Sequence, residues 1–419
     1  MMLLAVAAII LLALFGLPLF AALGAGSLLY AHDSGLDSAL LIVELNRLAS
    51  SPNLTAIPLF TLAGVILSSG GAPQRLIRLF NALLGWLPGG LSIVAIAACA
   101  FFTSFSGASG VTILALGGLL YPVLKKVHYP EHFSLGLLTT SGSLGLLFPP
   151  SLAILLYGVV AGVNIDDLFL AGILPGLALM IMLGIYAASV GARFRVPHHP
   201  FSWHILGRAL YSGLGDVLLP ALIVVGIFGG YVTVSEAAAC TALYVLVLES
   251  LIHRSISLRK QLIPLLGDTA VLVGSILIIL GVAMGLTNLL IDAQLPMRLL
   301  EWMETSIDTP LKFLLLLNLF LLVVGAMMDI FSATVVVVPL ILPLAQRFGI
   351  DPVHLGVIFL ANLEIGYSTP PVGINLFIAS QRFEKPVLTL FRSTLPFLLL
   401  MLVWLGIVTY VPLLSLWWQ

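Results

Sequence analysis

Charged residues are scarce in this chain of 419 residues. Aspartate, glutamate, lysine and arginine together make up 8% of it, whereas hydrophobic residues make up 60%. Soluble domains carry about a quarter charged residues, and none could keep this much apolar surface away from water, so the solvent around the chain is lipid. The net charge of −1 gives no reason to expect nucleic acid or an acidic polymer as a partner.

The sequence also lacks cysteine metal ligands and a recognisable signal peptide. There are only two cysteines, Cys99 and Cys240, in separate apolar segments without the spacing of metal ligands, so we expect both to pack in the core. The stretch 1–30 has no basic residue ahead of its apolar run and is too long for the core of a signal peptide. It is therefore predicted to be a first transmembrane helix.

Long apolar segments are what the chain has in abundance, and about 20 such residues cross a bilayer. The predicted full spans are residues 3–30, 54–70, 132–160, 168–190, 215–231, 233–252, 269–291, 353–380 and 390–412. The 54–70 run is short. The segment 74–87 that follows it is amphipathic, with Arg75 and Arg78 on its polar face, and is predicted to lie along the membrane surface.

Two apolar regions, 88–126 and 311–347, are nearly twice as long as one span. Small and polar residues interrupt each near its middle, at 103–110 in the first and at 325–329 in the second. If each half is a half-length helix, each region is a hairpin that enters and leaves the membrane on one side. Irregular backbone at membrane depth is tolerated where protein buries it or where it lines a cavity.

The basic residues agree with this topology. When the basic loops are placed in the cytoplasm, all but four of the 17 lysines and arginines lie inside. The exceptions are Arg47, Arg298, Lys312 and Arg347. The first hairpin then opens inward and the second outward. Two full spans in place of the first hairpin would leave the later loops on the same sides, so the charges do not by themselves establish the hairpins.

The chain also matches itself at an offset of 221 residues. The aligned residues are Pro122 with Pro343, Gly145 with Gly366, Pro149-Pro150 with Pro370-Pro371, and Pro175 with Pro396. An odd number of spans separates the halves, so they are predicted to be inverted repeats. The first covers 1–190, a connector with one span covers 191–232, and the second covers 233–419. Inverted repeats with broken helices are typical of secondary transporters.

Three features of the repeats carry the candidate chemistry. A Pro-Pro pair with glycine upstream is expected to unwind the helices 132–160 and 353–380, which frees carbonyls for a cation such as Na⁺ and N–H groups for an anion; the alternative is a plain kink. The small, hydroxyl-rich tip 103–110 can bind ligands, or can simply allow close helix packing. Asp329 is a charge at membrane depth, serving either a cation site or a helix cap near Ser332.

A resemblance to a known family rests on six motifs. They are Ala56-Ile57-Pro58-Leu59-Phe60, Ser106-Gly107-Ala108-Ser109, Leu147-Phe148-Pro149-Pro150-Ser151, residues 169–176, residues 235–239, and Thr369-Pro370-Pro371-Val372-Gly373 with Asn375-Leu376-Phe377. In these the chain resembles, over nearly its whole length, the large membrane subunit (DctM type) of tripartite ATP-independent periplasmic (TRAP) transporters.

The resemblance implies an all-α polytopic protein of the bacterial or archaeal cell membrane, the inner membrane in a Gram-negative cell. It implies Na⁺-coupled uptake of an organic anion, a carboxylate or sulfonate, by an elevator mechanism, and no enzyme activity. The implied partners are a small four-helix membrane subunit and a periplasmic substrate-binding protein. One implied Na⁺ site comprises Ser104, Ser106, Gly145 and Phe148; the other comprises Gly325, Gly366, Thr369 and Val372. The implied substrate residues are Ser104, Gly107, Ser109, Asp329, Ser332 and Thr369.

Three other functions remain as alternatives. A single-component Na⁺-coupled anion transporter of the same architecture would show a similar pattern and would need no binding protein. A membrane protease is suggested superficially by Gly107-Ala108-Ser109-Gly110, but its serine would need a histidine base within the membrane. In the predicted topology all eight histidines lie in loops or at span ends, and no His-Glu-x-x-His motif occurs. A channel is disfavoured because no repeated filter sequence is visible.

Overall fold

The fold is taken from a computed structural model of the chain. It describes residues 17–35, 52–197, 200–292 and 309–419, with isolated positions between 7 and 50 and at 294. Much of the N-terminal half of the predicted span 3–30 lies outside the described residues, as do Arg47 and Arg298.

The described part of the chain is all α, with no strand in it. Its helices are α1 (Leu19–Asp33), α2 (Ala56–Ser69), α3 (Ala72–Leu84), α4 (Gly90–Ser106), α5 (Ser109–Thr112), α6 (Gly118–Lys126), α7 (Glu131–Ser141), α8 (Leu152–Ala161), α9 (Ile165–Arg193), α10 (Trp203–Phe228), α11 (Val234–Val247), α12 (Leu258–Asp292), α13 (Pro310–Met327), α14 (Ile330–Arg347), α15 (Pro352–Gly366), α16 (Ile374–Phe383) and α17 (Val387–Tyr410). A π-helical turn, Ile113–Gly117, joins α5 to α6, and another, Leu248–Ile252, extends α11.

Seven of the described helices are long and apolar enough to cross a membrane, or nine if each of two bent pairs counts as one span. One bent pair is α2 with α3, which meet at 75°. The amphipathic α3 therefore runs at a large angle to the apolar α2, as expected for a helix that lies along the membrane surface. The other pair is the first broken helix, where the segment Glu131–Leu147 meets Leu152–Ala161 at 45°.

The hairpin arms are longer than the sequence suggested. α4 has 17 residues and α13 and α14 have 18 each, which at 1.5 Å per residue is about 27 Å. The expectation of half-length helices is therefore wrong. The reason is that the interruption in each region is only two residues, Gly107-Ala108 and Met328-Asp329, so the helix resumes almost at once. Entry and exit on one side of the membrane stay a prediction.

Helix boundaries repeat at the offset found in the sequence. The first hairpin ends at Lys126 and the second at Arg347; α7 begins at Glu131 and α15 at Pro352. Both Pro-Pro pairs lie at helix breaks, have cis peptide bonds, and are followed by helices of 10 residues. The inverted orientation of the halves and the boundaries 1–190, 191–232 and 233–419 stay predictions.

The two halves interlock in one core. α8, which follows the first break, packs against α14 of the second hairpin; α16, which follows the second break, packs against α5 and the π turn of the first hairpin. In the same crossed way, α17 packs against α7 and α9 packs against α15. Each break is therefore covered by parts of both halves.

A second group of helices packs against this core. α10, α11 and α12 pack with α1, α2 and α3, and the group reaches the core through α2 on α4 and through α12 on α14. Arg75 of α3 is bound within it by two carboxylates. Its Nε and Nη2 donate to Asp216 of α10 at 2.6 and 2.8 Å, and Nη2 also donates to Glu249.

Two expectations about single residues are wrong. The predicted span 215–231 places Asp216 at its end, near the membrane interface, but α10 begins already at Trp203 and Asp216 is buried beneath α3. Cys99 is buried as predicted, whereas Cys240 is exposed, because no helix among the described residues covers its face of α11.

Candidate functional site

The tip of the first hairpin is a two-residue turn between α4 and α5. Gly107 has φ of +64°, in the left-handed region that favours glycine. A Cβ there would also lie 2.5 Å from the Leu152 side chain, at the start of α8. The turn therefore depends on glycine both for its conformation and for its close approach to the first broken helix.

A hydrogen bond joins this tip to the second broken helix. The Ser109 hydroxyl donates to Asn375 Oδ1 at 2.7 Å, and both side chains are buried. Asn375 lies in the first turn of α16, directly after the second break. It was not among the predicted site residues, although the motif that contains it was recognised; the partner lies in the other half, which no local pattern reveals.

The first break lies against the end of α4. A Cβ on Gly145 would overlap the backbone N of Ser104, so this contact requires glycine. Phe148 N donates to Gly145 O at 3.1 Å. Of the four predicted residues of this sodium site, the structure thus brings together Ser104, Gly145 and Phe148. Ser106 lies two residues after Ser104, and its hydroxyl is 3.5 Å from that of Thr112.

The second break lies against the end of α13 in the same way. A Cβ on Gly366 would overlap the backbone of Gly325. Thr369 N donates to Gly366 O at 2.9 Å, and Val372 N donates at 3.1 Å to the carbonyl of Ala326, the neighbour of Gly325. All four predicted residues of the second sodium site therefore form one continuous group.

The two groups are equivalent by the repeat. Ser104 corresponds to Gly325 and Gly145 to Gly366 at the offset of 221 residues. In each half the two corresponding residues are in close backbone contact. The first arm of each hairpin thus ends against the helix break of its own half. Two equivalent sites are what a transporter built from two repeats would use.

Asp329 caps the second arm of the second hairpin. Its Oδ1 accepts the N–H groups of Phe331 and Ser332, both at 3.0 Å, and its Oδ2 accepts the hydroxyl of Ser332. Of the two interpretations of this carboxylate, the structure confirms the helix cap. The predicted substrate role of Asp329 and Ser332 stays a prediction.

A chain of hydrogen bonds joins the two tips. From Ser109 it passes to the Asn375 side chain; Asn375 N then donates to Tyr367 O at 3.0 Å; and the Tyr367 hydroxyl accepts the N–H of Ile330, next to Asp329. Tyr367 and Asn375 flank the second Pro-Pro pair. The predicted substrate residues at both tips are therefore connected through the second break, with Thr369 inside it.

Several buried oxygens near the breaks have no hydrogen-bond partner among the described residues. They are Ser141 Oγ before the first break, and both carboxylate oxygens of Glu364 and Ser368 Oγ at the second. A buried polar atom without a partner is costly, which makes these atoms candidates for ligands. Oxygen donors suit a hard cation such as Na⁺, and within the described chain no group of three His, Cys, Asp or Glu suits a transition metal.

Comparison with known sequences gives one consistent result. The family model described as tripartite ATP-independent periplasmic transporter, DctM component, matches residues 4–414. A large permease protein of a C4-dicarboxylate TRAP transporter from Vibrio cholerae is 34% identical, covering 96% of this chain and 94% of the relative. The ectoine TRAP transporter large permease of Halomonas elongata is 30% identical, covering 98% and 97%.

A solved structure has the same overall fold. The YdaH transporter of Alcanivorax borkumensis, described as having an unusual topology, superposes with a TM-score of 0.58 and covers 90% of this chain and 87% of its own. The sequence identity is 15%, so this likeness bears on the fold alone.

Proposed function

This chain belongs to the DctM-component family of TRAP transporters, and from that premise we propose that it catalyses Na⁺-coupled uptake of an organic anion delivered by a periplasmic binding protein. As a large permease of this family it is a multi-pass membrane protein.

The observation that carries the proposal is the equivalence of the two helix breaks. Ser104 with Gly145, and Gly325 with Gly366, bring interrupted backbone to a hairpin end in each half. Unwound helices offer carbonyl oxygens that bind Na⁺ in secondary transporters. Ser104, Gly145 and Phe148, with Ser106, would hold one transported ion; Gly325, Gly366, Thr369 and Val372 would hold the other.

For the substrate we propose a carboxylate or sulfonate. Relatives of this chain are named as permeases for C4-dicarboxylate, for isethionate and for ectoine, of which the first is a dicarboxylate and the second a sulfonate. The N-terminal ends of α14 and α16 lie at the second tip and the second break, and helix N-termini favour anions. Ser109, Ser332 and Thr369 add polar hydroxyl groups, and Ser104, Gly107 and Asp329 complete the proposed substrate surface.

The packing of the helices suggests how the substrate would cross. The interlocked core of hairpins and broken helices would move as one body against the group formed by α1–α3 and α10–α12. This is an elevator mechanism, in which the site is carried from one side of the membrane to the other.

The coupling proposal is tested by Na⁺-titrated uptake in the Thr369→Ala variant. The Thr369 hydroxyl lies in the break and donates to Ile365 O at 2.9 Å. We expect the Na⁺ concentration for half-maximal uptake to rise about tenfold, the effect of one lost ligand of roughly 1.4 kcal/mol. Thr269→Ala is the matched control, because Thr269 makes the same contact to a carbonyl four residues earlier but lies in α12. An unchanged Na⁺ dependence in Thr369→Ala would contradict the site.

The delivery route is tested separately. The tagged chain is purified from its native membranes in a gentle detergent and its partners are identified by mass spectrometry. A small four-helix membrane protein in the eluate supports the tripartite system. If the chain is purified alone and still catalyses Na⁺-driven uptake alone, the single-component transporter is the correct function.

A further inference from the structure

A cavity of about 340 Å³ lies between α3 and the N-terminal end of α10, and none of its lining residues belongs to the proposed transport site. Its lining from α3 and the turn after it includes Arg78 and Trp86, and its lining from around the start of α10 includes Phe201, Ile205 and Arg208. Neither the coupling ions nor the substrate proposed above would use these residues.

The cavity carries positive charge and no negative charge. Arg78 and Arg208 line it, and no aspartate or glutamate does. Arg78 Nε donates to Gln74 O at 3.3 Å, and Arg208 Nη2 lies 2.9 Å from His204 Nε2. Within the described residues neither guanidinium forms an ion pair, in contrast to Arg75 one turn away. Each therefore has most of its five N–H donors free for an external acceptor.

Aromatic side chains form one rim of the cavity. The ring centroids of Trp86 and Phe201 are 6.2 Å apart and those of Phe201 and Trp203 are 4.9 Å apart, and both pairs are arranged edge to face. Trp203 is 78% exposed, which for a tryptophan of a membrane protein is typical of the interface between headgroups and hydrocarbon. The rim therefore marks the depth at which lipid phosphates lie.

Apolar side chains line the cavity together with the arginines. Trp86, Phe201 and Ile205 all belong to its lining, and Ile205 is 58% exposed. Basic and apolar groups side by side match the two parts of a phospholipid, its anionic headgroup and the start of its acyl chains.

We propose that this cavity is a binding site for an anionic phospholipid of the cytoplasmic leaflet. Arg78 and Arg208 bind the phosphate, and the apolar lining around Phe201 and Ile205 receives the start of an acyl chain. Guanidinium groups suit the site because two parallel N–H groups match phosphate oxygens. The predicted topology places both arginines on the cytoplasmic side, where basic pockets bind anionic headgroups. A lipid held there bridges α3 and α10, the helices already joined by Arg75 and Asp216.

The test measures lipid retention by the full chain. The protein is reconstituted with equal amounts of phosphatidylglycerol and phosphatidylcholine, re-extracted in detergent, and its bound lipid is quantified by mass spectrometry. We expect phosphatidylglycerol to be retained about tenfold over phosphatidylcholine, since each basic residue near a membrane surface favours an anionic lipid several-fold. Equal retention of the two lipids by the unaltered protein would overturn the proposal and requires no variant.

Variants locate the site. Arg78→Gln with Arg208→Gln is expected to abolish the preference, whereas Arg78→Lys with Arg208→Lys keeps part of it. Arg259→Gln with Lys260→Gln is the matched control, because both are exposed basic residues on the same predicted side and neither lines the cavity. A preference that survives the first pair, or that the control pair removes equally, would also overturn the proposal.

A last measurement distinguishes lipid phosphate from free phosphate. Inorganic phosphate at millimolar concentration is titrated onto the protein in neutral detergent and binding is followed by calorimetry. If phosphate binds, the Arg78→Gln, Arg208→Gln variant loses that binding, and the unaltered protein retains no phosphatidylglycerol, the cavity binds a soluble anion and the lipid site is rejected.

Discussion

Ser109 and Asn375 are 266 residues apart in the chain, and the hydroxyl of one donates to the amide oxygen of the other at 2.7 Å. This bond joins the tip of the first hairpin to the second broken helix. Asn375 continues the connection through its N–H to Tyr367 O, and Tyr367 reaches the second tip. The two halves of the chain therefore share one polar network at the proposed substrate site.

The first prediction is that Ser109 and Asn375 are energetically coupled. We expect Ser109→Ala and Asn375→Ala each to lower the free energy of unfolding. The double variant should lose about 1 kcal/mol less than the sum of the two single losses, because either substitution alone already removes the bond. Thermal unfolding of the four proteins in one detergent measures this. Ser189→Ala is the control, since Ser189 is bonded only to the carbonyl of Tyr186 in its own helix. Strictly additive effects would show that the bond does not form.

The second prediction concerns the contact of Gly366 with Gly325. Gly366→Ala forces a Cβ into the Gly325 backbone, and overpacking of this kind costs about 3 kcal/mol. We expect a lower unfolding temperature and a loss of Na⁺-dependent stabilisation. Gly406→Ala is the control, because nothing lies within 4 Å of a Cβ at that glycine. If Gly366→Ala unfolds with the same Na⁺ response as the unaltered protein, the second break is not a sodium site.

The third prediction concerns the buried ion cluster. Asp216→Asn leaves Arg75 with one carboxylate, and removing one partner of a buried pair costs about 3–5 kcal/mol. We expect a markedly lower unfolding temperature. Asp268→Asn, at an exposed position of α12, changes the same group and should leave stability unaltered. Equal unfolding temperatures for the two variants would mean that the cluster contributes nothing.

The fourth prediction separates the two roles of Asp329. Asparagine is as good a helix cap as aspartate, whereas alanine costs about 1 kcal/mol. If the residue only caps α14, Asp329→Asn should transport at the normal rate and Asp329→Ala should be destabilised. Uptake assays on both variants, with their unfolding temperatures, provide the comparison. A loss of uptake in the stable Asp329→Asn variant would assign the charge itself to transport.

Much of the fold was predictable because lipid imposes simple rules on sequence. Apolar length predicted most of the helices that are long enough to cross a membrane, although the helix Pro352–Gly366 in the predicted span 353–380 is too short to count as one. The Pro-Pro pairs predicted the helix breaks at 149–150 and 370–371. The offset between the pairs led to Gly145 and Gly366, and the structure finds both in backbone contact with the hairpin ends. Each of these features depends on residues close together in sequence or on one repeated pattern.

The features that were missed depend on contacts between distant segments. Asp216 looked like an interfacial charge because nothing near it in the sequence indicates that Arg75 covers it. Asn375 looked like part of a motif without a partner, since Ser109 lies in the other half. The predicted hairpin arms are shorter than those of the structure. A turn of two residues and a longer non-helical stretch contain the same small and polar residue types, so composition does not distinguish them.

The crossed packing of α8 on α14 and of α16 on α5 has a consequence for synthesis of the protein. As the chain leaves the ribosome, the first hairpin and the first broken helix are inserted long before the helices that cover them. Their polar tip and break must wait in the bilayer, or at the insertion machinery, until α16 is made near the end of the chain. We therefore expect the core to assemble only after α16 is inserted, and a chain truncated before Phe383 would leave the first tip without this cover.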